Sequence, residues 1–250
     1  MFQKSGATVR NPVYVVGDIH GQTGFLEQAL DWIAADGGAD AHVIFLGDLV
    51  DRGPDSRGVV NRLMTAQADG RRWLIVKGNH DRLFTRFLSR GVVDDARITS
   101  KITWMNPRLG GAATLASYGV ADALSRPLAE VLEEARARVP AEHRAFLEGL
   151  PLYAEHDGLL CVHAGIRPGV PLDEQVEDDL IWIRDTFLRD TRAHPWLVVH
   201  GHTAIDVPVH YGNRVNLDGG AGYGRPVYPA VFDGTDCWLL GDGGRVPLVP

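Results

Sequence analysis

Three short clusters in the first third of the chain share one design: Gly17-Asp18-Ile19-His20-Gly21, then Gly47-Asp48-Leu49-Val50-Asp51-Arg52-Gly53, then Gly78-Asn79-His80-Asp81. Each sets carboxylate, amide or imidazole groups beside glycines, which let the backbone bend sharply and approach a ligand closely. Two more imidazoles stand in similar settings further on, His163 in Val162-His163-Ala164-Gly165 and His202 in His200-Gly201-His202-Thr203. Oxygen and nitrogen donors of these kinds suit Mn²⁺, Fe or Zn²⁺ better than Ca²⁺ alone. Five or six such ligands exceed what one zinc needs and fit two ions with a carboxylate between them.

Convergence of these residues requires particular elements. Each of the first three clusters closes an apolar run, VYVV, HVIFL or WLIV, and helical patterns lie between the runs. The first helix carries Phe25, Leu26, Ala29, Leu30 and Ile33 at helical spacing, and the second, over residues 56–68, carries Val59, Val60, Leu63 and Met64 on one face. This alternation predicts a parallel, doubly covered sheet whose turns meet beyond the carboxyl ends of its strands. Residues 81–149 read as helical, in LFTRFL, ATLASYG, PLAEVLEEARARV and PAEHRAFLEGL. After Pro151 come six short β-runs, LPLYAEH, LLCVHAG, WLVVHGH, RVNLDGG, PAVFDG and CWLLGD, which predict a second, largely antiparallel sheet. No repeat or low-complexity linker separates the halves, so residues 1–250 are expected to form a single domain.

Composition narrows the classes. The 250 residues are 45% hydrophobic and 23% charged, which excludes a disordered or collagenous chain. No apolar run is long enough for a membrane span, and the polar start at residues 1–11 lacks the apolar core of a secretory signal, so the expected compartment is the cytoplasm. A net charge of −7 argues against binding along a nucleic-acid backbone, which needs a basic stripe. Cys161 and Cys237 lie inside apolar runs and read as core thiols.

In their order and spacing, GDIHG, GDLVDRG, GNHD, VHAG and GHT resemble the phosphoprotein phosphatase (PPP) family of calcineurin-like metallophosphoesterases, over residues 17–203. The resemblance implies an α/β sandwich of two mixed β-sheets flanked by helices. It also implies that Asp18, His20 and Asp48 hold one metal, with Asp48 bridging to a second held by Asn79, His163 and His202. Arg52 and Arg184, the latter in Ile181-Trp182-Ile183-Arg184, become phosphate clamps, and His80 becomes a proton donor oriented by Asp51. The cofactor so implied is a pair of divalent ions, Mn²⁺ first, with Fe or Zn²⁺ open. Two such ions lower the pKa of a shared water toward ~7 and screen the phosphoryl charge. Each guanidinium can grip phosphate oxygens in a bidentate way, and a protonated imidazole can assist a basic alkoxide to depart.

Plainer accounts exist for the single residues. An Asp or Asn in a glycine-flanked turn often serves only the turn. Arg52 could pair with Asp51 or Asp55, and Arg184 with Asp179 or Asp185. His200 is assigned a structural place beside the ligands, Arg167 a loop position, residues 174–179 a solvated acidic loop or helix start, and Trp104 and Trp182 packing.

Three features bear on substrate. GNHD ends in Asp81 where eukaryotic Ser/Thr phosphatases have Glu, and together with HAGI it is similar to the symmetrical diadenosine tetraphosphate hydrolases. Those read GDLVARG and FGHW, however, whereas GDLVDRG and GHT resemble the bacterial and phage serine/threonine protein phosphatases. The tail NLDGGAGYG lacks the SAPNYC-like segment of the eukaryotic enzymes. The sequence therefore reads as a metal-dependent phosphomonoesterase acting on phosphoserine, phosphothreonine or phosphotyrosine in proteins, or on a small phosphoester. The alternative is a symmetrical diadenosine tetraphosphate hydrolase. A non-catalytic metal-binding scaffold is the alternative of another class, and intact Asp51, Arg52 and His80 speak against it.

Overall fold

The computed structural model describes residues 12–250, so the polar start on which the signal-peptide expectation rests lies outside the described residues. Strands β1 (Val13–Val16), β2 (His42–Phe45) and β3 (Trp73–Ile75) run parallel, linked by α1 (Thr23–Gly37) and α2 (Ser56–Ala68). Side chains alternate across a strand. Tyr14, Val16, Val43 and Phe45 therefore pack under the helices, while Val13, Val15, Ile44 and Leu46 face a second sheet. Burial on both faces explains why these runs read as continuously apolar. Leu26, Ala29, Leu30 and Ile33 form the buried stripe of α1. The helical middle follows as α3 (Asn79–Arg90), α4 (Gly111–Ser117), α5 (Leu128–Arg138) and α6 (Ala141–Glu148).

The second half corrects the sequence reading. Strands β4 (Tyr153–His156), β5 (Leu159–Val162), β6 (Leu197–His200), β7 (Val209–His210) and β8 (Arg214–Asn216) form a mixed sheet in the order β4-β5-β6-β8-β7. Its three central strands are parallel and only its edge pairs are antiparallel. The last two apolar runs do not join it. As β9 (Ala230–Asp233) and β10 (Asp236–Gly241) they return to the first sheet, β9 antiparallel beside β1 and β10 antiparallel beside β9, with β11 (Gly244–Pro247) at the edge. The physical reason is that β1 needs a partner on its open side, and β9 is apolar on both faces. Val231 enters the helix-side core, and Ala230 and Phe232 enter the core between the sheets. The far face of the first sheet is consequently covered by the second sheet. On the outer face of that second sheet, α7 (Glu177–Trp182) and α8 (Asp185–Leu188) bring Leu180, Ile181 and Phe187 onto Leu160, Val162 and Val198.

Cys161 and Cys237 are free and lie between the sheets. Burial pushes both thiols up to about 12, which leaves them as inert packing groups. Among the described residues, no helix is long and apolar enough to cross a membrane.

The loops beyond the carboxyl ends of both sets of parallel strands lock together. Gly17 passes so close to Leu217 that a Cβ would stand 2.5 Å from its carbonyl oxygen, and Gly47, at φ 88°, would bring a Cβ to 2.5 Å from the Gly78 nitrogen. Gly47→Ala should therefore cost at least about 2 kcal/mol, combining left-handed backbone strain with a clash that pushes the second and third loops apart. Thermal unfolding checks this, and an unchanged melting temperature would contradict it.

Candidate active site

A single buried carboxylate fastens the second loop to the third. Asp81 accepts hydrogen bonds from the backbone N–H groups of Asp48, Leu49 and Gly78, each at 2.9 Å. Burial still pushes Asp81 up to about 6. The clamp holds Asp48 so that its Oδ1 accepts from the His80 N–H at 2.9 Å. Asp18 takes the His202 N–H at 3.1 Å, which fastens the first sheet to the second.

Around Asp48 the six expected ligands converge. His20 Nε2 lies 3.5 Å from Asp48 Oδ2 and 3.9 Å from Asp18 Oδ2. On the other side, His163 Nε2 lies 3.4 Å from Asp48 Oδ1, and Asn79 Oδ1 lies 3.0 Å from His163 Nε2 and 2.7 Å from His202 Nδ1. Asp48, His163 and His202 form one compact group of donor atoms, and His20, Asp48 and His80 form another, with Asp18 set slightly back.

Backbone carbonyls fix which imidazole nitrogens are free. His20 Nδ1–H donates to the Val50 carbonyl at 2.8 Å and His163 Nδ1–H to the Leu46 carbonyl at 2.7 Å. Each Nε2 is thereby left as a lone pair. His163 Nε2 and Asn79 Oδ1 then face one another at 3.0 Å with no proton between them. Acceptors brought together in this way suit a cation. The charges agree: burial, then the neighbouring Asp218 and Asp48, raises Asp18 far above the usual carboxylate range. Burial and Asp81 do the same to Asp48. Burial keeps His20 and His202 neutral and brings His163 down to about 3. Neutral imidazoles beside mutually repelling carboxylates fit divalent metal ions.

His80 stands next to this group with its own support. Its Nδ1 meets Asp51 Oδ2 at 2.6 Å, and Asp51 also accepts from Trp104 Nε1 and Thr114 Oγ1, each at 2.7 Å. Burial pushes Asp51 up to about 7 despite these two donors, and burial together with the Arg52 charge holds His80 well below its ordinary value. Arg52 spans the two imidazoles, with Nη1 against His20 Nε2 and Nη2 3.0 Å from His80 Nε2. Arg184 is exposed and pairs with neither Asp179 nor Asp185. Among the described residues it reaches only Thr203 Oγ1 at 3.4 Å and the His202 carbonyl at 3.5 Å. Arg52 and Arg184 both line a cavity of about 170 Å³ with His20, His202, Asp218 and Tyr223.

The backbone is strained where these groups meet. His20, Asp48, Asp51, Arg52 and His202 all have φ between 49° and 74°, in the left-handed region that non-glycine residues avoid. Such strain concentrates at sites that the surrounding structure over-determines.

The family model described as calcineurin-like phosphoesterase matches residues 11–225. The chain belongs to that family. This metallophosphoesterase is 29% identical to the asymmetrical bis(5'-nucleosyl)-tetraphosphatase PrpE of Geobacillus thermodenitrificans, over 84% of the chain and 86% of the relative. Against the protein of the same description from Halalkalibacterium halodurans it is 26% identical, over 94% and 95%. The fold superimposes on a crystal structure of the cold-active protein-tyrosine phosphatase of a psychrophilic Shewanella with a TM-score of 0.64, at 15% identity, over 96% of this chain and 81% of that one.

Several neighbours of the site escaped the sequence reading. Trp104, assigned to packing, does stack on Phe84 and Phe87, yet its indole N–H also holds Asp51. Thr114 belongs to no motif, and Asp218 lies in the NLDGGAGYG tail, where no site role was read for it. The acidic run at 174–179 is less solvated than expected, since Asp178 pairs with Arg82 and the buried Asp179 with Arg167. His200 is fully buried beneath Phe187, apart from the donor groups, and Arg167 is held by Asp179.

Trp104→Phe keeps the stacking and removes the donor to Asp51. We expect kcat to fall about tenfold, the scale of one charge-assisted hydrogen bond, with KM within about twofold. A rise in KM at constant kcat would place Trp104 with substrate binding instead.

Proposed function

We propose that this metallophosphoesterase hydrolyses dinucleoside tetraphosphates, with Asp18, His20 and Asp48 holding one divalent ion and Asp48, Asn79, His163 and His202 a second. The observation that carries the hydrolytic reading is the set of facing lone pairs around Asp48, which the backbone carbonyls of Val50 and Leu46 enforce. When bound, the two ions supply a water acidified toward neutrality and neutralise phosphoryl charge. Arg52 and Arg184 orient the scissile phosphate from the cavity wall, and Arg52 is released from the imidazoles as it turns to the phosphate. His80 takes a proton from solvent at Nε2 before substrate closes the cavity and delivers it to the leaving oxygen. Asp51 steadies the imidazolium from Nδ1. The named activity of the relatives supports the substrate class. The cytoplasm is the proposed compartment, in keeping with the two unpaired cysteines.

A phosphomonoesterase acting on phosphoserine, phosphothreonine or phosphotyrosine is the second reading, and a specific feature favours it. The buried His80–Asp51 pair suits a basic leaving group such as a seryl alkoxide better than a nucleotide phosphate, which departs with less help. Rates with diadenosine tetraphosphate, phosphopeptides and p-nitrophenyl phosphate under identical Mn²⁺ decide between them. We expect the dinucleotide to lead in kcat/KM by at least about tenfold, the scale of one added charge-assisted contact. A phosphopeptide in the lead would establish the second reading.

A further inference from the structure

We infer that the groove next to Arg184 binds the nucleoside polyphosphate portion of the substrate beyond the scissile phosphate, with Arg108 as its specificity-determining cation; this inference rests on the dinucleotide reading above. The small cavity around Arg52 and His202 has room for little more than a phosphoryl group. Arg184 lines it and also lines a neighbouring cavity of about 570 Å³, whose other walls include Arg97, Ile98, Arg108, Leu109 and Trp182. The two spaces therefore meet at a phosphate clamp, which is where a chain of phosphates would pass from one to the other.

The lining is basic on an acidic protein. The chain carries a net charge of −7, yet three arginines and no carboxylate line this groove. Arg97 is already engaged by Asp178 and Asp179. Arg108 differs: among the described residues its guanidinium has no hydrogen-bonding or ion-pair partner, while its carbonyl accepts from Arg52 Nε at 3.3 Å. The backbone of Arg108 is thus tied to the clamp that grips the reacting phosphate, and its side chain is left free for a second anionic group. Ile98, Leu109 and the half-buried Trp182 give the same groove an apolar and aromatic wall, suited to a base. A bare polyphosphate would have no use for that wall, and an acidic peptide none for an aromatic platform beside the arginines. A nucleoside polyphosphate uses both.

The test is competitive inhibition of p-nitrophenyl phosphate hydrolysis by a methylene-bridged, non-hydrolysable diadenosine tetraphosphate, with inorganic phosphate as the second probe, at fixed free Mn²⁺. For Arg108→Ala we expect the Ki of the analogue to rise about tenfold and that of phosphate by less than about threefold, because phosphate reaches only Arg52 and Arg184. Arg108→Glu should exceed the alanine effect, and Arg108→Lys should recover most of it. Equal changes for both probes, or no change for the analogue, would overturn the inference. If diadenosine tetraphosphate is not cleaved while the analogue still depends on Arg108, the groove stands and the proposed reaction fails. If phosphopeptide binding, and not that of the analogue, depends on Arg108, the occupant is wrong.

Discussion

His80→Asn should lower kcat for alkyl phosphate esters by roughly 10²–10⁴-fold, the usual range for loss of a general acid, while both metal ions remain bound. The expectation follows from where His80 is held. Its Nδ1 is committed to Asp51, and its Nε2 faces Arg52, which lines the cavity. The deficit should shrink for p-nitrophenyl phosphate, whose leaving group needs little protonation, and for dinucleotides, which expel a nucleotide phosphate. A pH signature accompanies it. In the free site burial and then the Arg52 charge keep His80 below its ordinary value, so the acid form has to be recovered in the complex. Above the His80 pKa in that complex, each pH unit removes about nine-tenths of the active form, and wild-type kcat for an alkyl ester should fall accordingly. That limb should be missing from His80→Asn. Because His20, Asp48 and His80 also form a compact donor group, the variant is informative in the other direction as well. Loss of a metal ion, or equal slowing of all leaving groups, would make His80 a ligand or a clamp.

Asp48→Asn should remove metal and activity together. Asp48 is within reach of both imidazole sets, 3.5 Å from His20 Nε2 through Oδ2 and 3.4 Å from His163 Nε2 through Oδ1. An amide keeps the shape but loses the charge, and presents an N–H₂ to one side. The loss of metal-assisted stabilisation amounts to several kcal/mol, or roughly 10³-fold in rate. Circular dichroism should show a retained fold, since the carboxamide can still accept the His80 N–H. Full metal content with reduced turnover would mean that Asp48 acts on substrate and not as a bridge.

The legible part of this molecule is the part written locally. Asp18, His20, Asp48, Asn79 and His80 each follow a short apolar strand by one turn, so strand order alone brings them together. His163 and His202 follow β5 and β6 in the same way. The support of His80 by Asp51 was legible, but what holds Asp51 was not, because Trp104 and Thr114 reach it from across the helical middle and carry no periodic signal of their role. Asp218 was missed for a similar reason: it follows β8 in a glycine-rich turn, and only the pairing of β8 with β6 places it at the cavity. Strand partnership misled most clearly at β9. Its apolar run is compatible with either sheet, and nothing local in the sequence states that β1 has an open side.

The proposed hydrolysis depends on two ions held by Asp18, His20, Asp48, Asn79, His163 and His202. The direct measurement is metal content per chain, by elemental analysis, followed together with phosphoester turnover as a chelator is titrated in and Mn²⁺ is returned. Two ions per chain are expected at full activity, with loss of turnover as they are withdrawn and recovery as they are restored. Full turnover by protein shown to contain no metal would contradict this.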